Sequence, residues 1–121
     1  MKALKKYSFF MAMVLLLPSP SQADGNLLLE HCLVAEKYID SQVLKNELSF
    51  GRCIGLVQGV RQTMQLMASD SPVKACFPKK GIENGQAIRI VTSYLRKNPE
   101  KLHKDEVFLV MSAFIVAYPC K

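Results

Sequence analysis

Four cysteines, Cys32, Cys53, Cys76 and Cys120, constrain this chain more than any other feature. They form an even set in a short chain whose N-terminus is built for export. Lys2, Lys5 and Lys6 make a basic start, and an apolar run follows from Phe9 to Leu17. Ser21-Gln22-Ala23 is a small-x-small cleavage site before Asp24. The run is shorter than the roughly 20 residues that cross a bilayer, and no cysteine follows it to carry a lipid. Residues 1–23 therefore read as a signal peptide and residues 24–121 as one domain. In an exported domain of 98 residues, four cysteines read as two disulfides. A domain this small buries only about 60–65% of its unfolded surface. Each bridge then contributes roughly 3–5 kcal/mol, against a total stability of about 5–15 kcal/mol.

Charge narrows the function. The whole chain carries +6, but three of its sixteen basic residues lie in the signal, so the domain has thirteen against ten acids, or +3. Those cations are scattered, with no dense stripe and no interleaved aromatics, which removes the case for nucleic acid.

Apolar periodicity places four helices. Leu28, Cys32, Ala35, Ile39 and Val43 recur at steps of three or four and predict a helix over residues 26–44. Phe50, Cys53, Ile54, Val57, Val60, Met64 and Met67 predict a second over residues 50–67, with Ser49 as its N-cap. Gly51, Gly55 and Gly59 fall on a neighbouring face of that helix. Each costs about 1 kcal/mol relative to alanine, which predicts the close approach of another helix backbone as the offset. Arg52, Gln58, Arg61 and Gln62 exclude a membrane-spanning reading of the same spacing.

Residues 68–83 have no helical period and hold Cys76 among Pro72, Pro78 and Gly81. A long ordered loop in a compact domain is disproportionately functional. Asn84 is expected to cap a third helix over residues 86–97, and Pro99 ends it at Asn98. The fourth helix, ending near Ala117, carries an apolar run from Val107 to Tyr118 interrupted only by Ser112 and is expected to be the central core helix. The fold class is all-α: a small four-helix bundle with two disulfides and one long ordered loop.

Of the three pairings that four cysteines allow, geometry favours one. Cys32 is near the start of the first helix and Cys120 just past the end of the last, so antiparallel packing would join them. From Cys53 to Met67 is about 21 Å of helix, and the nine residues on to Cys76 reach about 30 Å when extended. Cys32–Cys120 and Cys53–Cys76 are therefore expected.

No catalytic constellation emerges. Nucleophilic catalysis needs a nucleophile beside a base, yet the cysteines are consumed as disulfides and His31 and His103 are the only histidines. His31 beside Cys32 lacks a second ligand pair at metal spacing and reads as a surface histidine. His103 reads as exposed or as fixing its corner. Glu100, Asp105 and Glu106 suit the first turn of a helix, where the dipole favours acids. The chain reads as no enzyme, with no cofactor and no metal.

Taken together, these residues resemble a known family. From Gln86 onward the chain resembles the Rap/Tai-type immunity proteins, which protect bacteria against type VI secretion amidase effectors. The matching residues are Ile90-Val91, Tyr94-Leu95, Asn98-Pro99-Glu100, Leu102-His103, Leu109-Val110, Ala113 and Ala117-Tyr118-Pro119-Cys120. Upstream, Cys32, Gly51-Arg52-Cys53-Ile54-Gly55 with Gly59, and Cys76-Phe77-Pro78 are similar to family landmarks. Lys104-Asp105-Glu106 departs from the pattern, where the family more often has small or apolar residues.

The resemblance implies a periplasmic, mostly helical, disulfide-bonded inhibitor that binds a cysteine amidase cutting peptidoglycan peptides and blocks its cleft. Family members are often dimeric, so a homodimer is also raised. A pre-ordered loop loses less entropy on binding. The loop carrying Asp70, Ser71, Lys74, Lys79 and Lys80 is therefore expected to enter the cleft. The corner at Asn98, Glu100 and His103 is expected to help. Two other readings compete. One is a general periplasmic chaperone of the acid-stress type, and the other a saposin-type lipid binder, a class that usually carries six cysteines.

Overall fold

Asp24 starts the fold. Its carboxylate accepts hydrogen bonds from the backbone N–H groups of Asn26 at 3.0 Å and Leu27 at 3.2 Å, capping α1 (Gly25–Ser41). The computed structural model describes residues 23–121. The signal peptide expected over residues 1–23 lies outside the described residues, apart from Ala23. α1 ends where Gln42 turns left-handed at φ 57°.

A short turn leads to α2 (Glu47–Leu66). Its N-cap is Asn46, whose side chain accepts from the Ser49 N–H at 3.0 Å, so the expected cap residue is instead the capped one. α3 (Asn84–Lys97) follows the long loop. Pro99 stops it, and Pro99–Lys101 forms one 3₁₀ turn. Asp105 caps α4 (Glu106–Ala117) by accepting from Val107 N–H at 2.9 Å and Phe108 N–H at 3.2 Å.

α1 and α2 form an antiparallel hairpin, with Tyr38 and Phe50 packed edge to face at 4.9 Å near its turn. α3 runs back along α1, its Arg89 paired with Asp40 and its Arg96 with Glu36. Leu28, Val57, Ile88, Val91, Leu95, Leu109, Val110 and Phe114 fill the space between the four helices. α4 gives Leu109, Val110, Ala113 and Phe114 to that core but leaves Val107, Phe108 and Val116 exposed. It is a one-faced wall of the bundle, not its central helix.

The first and last helices start at the same corner. Asp24 and Asp105 face each other in an isolated bridge, and the Gly25 N–H donates to the Lys104 carbonyl at 3.0 Å. A Cβ on Gly25 would lie 2.4 Å from Leu109 Cδ1 and 2.9 Å from the Leu102 backbone, so this corner requires glycine.

That corner overturns the expected disulfides. The bonds are Cys32–Cys53 and Cys76–Cys120. Cys32–Cys120 assumed that α1 and α4 run antiparallel, whereas both leave the Asp24–Asp105 corner and Cys120 sits past the far end of α4. Cys32 lies nine residues before Ser41 and Cys53 six after Glu47, so the hairpin register itself brings those two together.

Two further expectations change. Gly51, Gly55 and Gly59 meet no helix backbone: a Cβ on each would point into open space. His31 is no surface residue, being only 9% exposed, and neither ring nitrogen has a hydrogen-bond partner.

Candidate functional site

The connection between α2 and α3 is tied down at successive points. Asp70 and Ser71 both donate backbone N–H groups to the Met67 carbonyl at 3.1 Å, turning the chain at the end of α2. Ser71 Oγ then spans to Val73, donating to its carbonyl at 2.9 Å and accepting from its N–H at 3.1 Å. Ala75 is buried, and the next residue is bonded to Cys120. Phe77 packs against Phe114 at 5.3 Å and Tyr118 at 5.4 Å, giving the loop its own apolar anchor in the core.

The far half of the loop closes through a turn. Gly81, in the left-handed region at φ 73°, donates to the Pro78 carbonyl at 2.8 Å. Only glycine populates that backbone region without cost. The Arg61 guanidinium then fastens the loop's end. It reaches from α2 to the Ile82 carbonyl and to Asn84 Oδ1, the latter at 3.0 Å. Asn84 is thus a partner of Arg61 rather than the cap of α3, whose N-cap residue Glu83 makes no side-chain bond. Arg61 is only 9% exposed; its two terminal nitrogens are bonded in this way while its Nε has no hydrogen-bond partner, and no spacing in the sequence marks it for this role.

This scaffold leaves Asp70, Lys74, Lys79 and Lys80 exposed, while Ser71 is half-buried and spends its hydroxyl within the loop. None of the four charged side chains is in an ion pair; among the described residues the ion pairs are Arg89–Asp40 and Arg96–Glu36. Asp40 beside it raises the Arg89 pKa above its ordinary value.

The corner residues behave differently from one another. Asn98 is internal to its turn, donating to the Tyr94 carbonyl at 2.8 Å and accepting from Lys101 Nζ at 2.8 Å. Glu100 and His103 are exposed. Loop and corner are not brought together. Gln86, at the start of α3, donates to the hydroxyl of Tyr118, which packs on the loop's Phe77. Asn98 lies at the other end of the same helix.

What joins the two regions is a groove between α3 and α4, holding Tyr94, Lys97 and Lys101. Tyr94 and Lys97 are three apart on α3, but Lys101 belongs to the 3₁₀ turn beyond it, so helical spacing does not mark the three together. Among the described residues no group of histidines, cysteines and acids could hold a metal ion, and no helix is long and apolar enough to cross a membrane.

The family model for Rap1a immunity proteins matches residues 24–120. No curated protein and no solved structure matches the chain.

Proposed function

Because this chain belongs to the Rap1a immunity protein family, we propose that it binds and inhibits a type VI secretion effector, a peptidoglycan amidase, and does so in the periplasm. Membership of an immunity family supports an inhibitor with no chemistry of its own. Two disulfides suit an oxidising compartment, in keeping with export by a signal peptide over residues 1–23.

The observation that carries the mechanism is the Cys76–Cys120 bond. It fixes the middle of the α2–α3 loop to the tail of α4, while Asp70, Lys74, Lys79 and Lys80 stay exposed. A loop held in its binding shape before contact loses little entropy on docking. We assign it the role of a plug for the amidase cleft, with Glu100 and His103 as a separate, peripheral contact.

The test is peptidoglycan hydrolysis by a panel of type VI secretion cysteine amidases, each titrated with the purified protein. Inhibition of one of them at equimolar protein supports the reading; activity of every amidase at a large excess of protein rejects it. A broad chaperone has one observation in its favour, the exposed Leu48 and Leu66 on α2 and Met67 just past its end. It would instead bind many unfolded clients and bind an apolar dye on acidification.

A further inference from the structure

The groove between α3 and α4 has a volume of about 500 Å³. Ile90 and Ala113 line its apolar part, and Val116 stands on its α4 side, 67% exposed with nothing packed over it. The charged residues lining it are Arg89, Lys97 and Lys101, and no acid lines it.

Those three cations are not equivalent. Arg89 is compensated by Asp40. Lys101 is held in place by uncharged partners: its Nζ donates to Asn98 Oδ1 at 2.8 Å and sits 5.4 Å from the centre of the Tyr94 ring. Lys97 is exposed and in no ion pair among the described residues. The groove therefore carries two uncompensated positive charges beside an apolar strip.

It also has direction. One end opens at Gln86 and Ala117, next to Tyr118 and the anchored loop. The other opens at Asn98 and Lys101, the corner. From Gln86 to Lys97 is about 17 Å of helix, which an extended segment of about five residues matches.

We propose that this groove docks an acidic, partly apolar, extended segment of a protein partner. Its carboxylates meet Lys97 and Lys101, and its apolar side chain lies on Ile90 and Val116. That the partner is the effector rests on the immunity reading above; the chemistry of the groove does not. Charge placed this way speeds encounter and makes binding salt-dependent.

The test uses no amidase, so it fails or succeeds independently of that reading. The isotope-labelled protein is titrated with the peptide acetyl-Glu-Leu-Glu-Glu-Leu-amide and followed by amide chemical shifts, at low and high salt. Shifts confined to residues 86–101 and 113–117 are expected, weakened at least about tenfold by high salt. The variants K97E/K101E and K97Q/K101Q should lose them while keeping the thermal unfolding of the unmodified protein. Absent shifts, shifts elsewhere, or equal shifts with a lysine-for-glutamate peptide overturn the proposal. So do shifts in the same residues that grow with protein concentration alone, which would make the occupant a second copy of this chain.

Discussion

The backbone N–H of Cys76 donates to the carbonyl of Tyr118 at 2.8 Å, beside the Cys76–Cys120 bond. Loop and C-terminal tail are thus joined twice within three residues, once covalently and once by a hydrogen bond. The other bond, Cys32–Cys53, lies wholly inside the core.

That difference in burial predicts an order of reduction. Cys76 is exposed and Cys120 partly so, whereas Cys32 and Cys53 are both 0% exposed. Mild reductant followed by alkylation and peptide mapping should label Cys76 and Cys120 first, with Cys32 and Cys53 protected until the chain unfolds. The C76A/C120A variant should stay folded but lose about 2–4 kcal/mol by denaturant unfolding, as expected for opening a closed loop.

Two glycine substitutions should move stability in opposite directions. Gly25→Ala forces a Cβ against Leu109 and the Leu102 backbone and should cost about 1–3 kcal/mol, the usual range for overpacking. Gly55→Ala meets open space in the middle of α2 and should stabilise by up to about 1 kcal/mol. Denaturant midpoints of the two variants check both signs.

Asp24 links the Asp24–Asp105 corner to pH. The Leu27 N–H above all holds its carboxyl below its ordinary value of 3.8; desolvation opposes this, and the Asn26 side chain and N–H add to the lowering. A folded pKa that is depressed contributes stability above the unfolded pKa, and that contribution is lost as pH falls through the folded value. The difference in melting temperature between the unmodified protein and Asp24→Ala should therefore be full at neutral pH and shrink as the pH drops below about 4.

Phe77→Ala removes the loop's apolar anchor without touching its exposed charges. The half-buried ring packs on Phe114 and Tyr118, and its loss should cost about 1–3 kcal/mol, less than the about 3–5 kcal/mol for a fully buried phenylalanine such as Phe114. Faster amide hydrogen exchange at residues 73–80, with the helices still protected, is the expected signature.

Helix content was legible in the residues because each helix buries one stripe. Leu28, Cys32 and Ala35 on α1, and Cys53, Val57 and Met64 on α2, recur at helical steps, and all are buried. Periodicity is local, however, and says nothing of which helix ends meet. The disulfide partners depend on the α1–α2 register and on the Asp24–Asp105 corner, both of them tertiary facts. His31 carries no pattern that separates a buried ring from an exposed one. Gly51, Gly55 and Gly59 show the spacing of a packed helix pair but face open space. The loop was located by its lack of period, yet the residues that hold it, Arg61 and Phe77, come from a helix face and an aromatic contact invisible to spacing alone.

We assign inhibition to the α2–α3 loop. The most direct test of this assignment is the inhibition of the amidase proposed as its partner by the unmodified protein and by D70A/K74A/K79A/K80A, with circular dichroism confirming that both are folded. The variant is predicted to inhibit at least about tenfold more weakly, a loss of about 1.4 kcal/mol. Unchanged inhibition by a folded variant would contradict it.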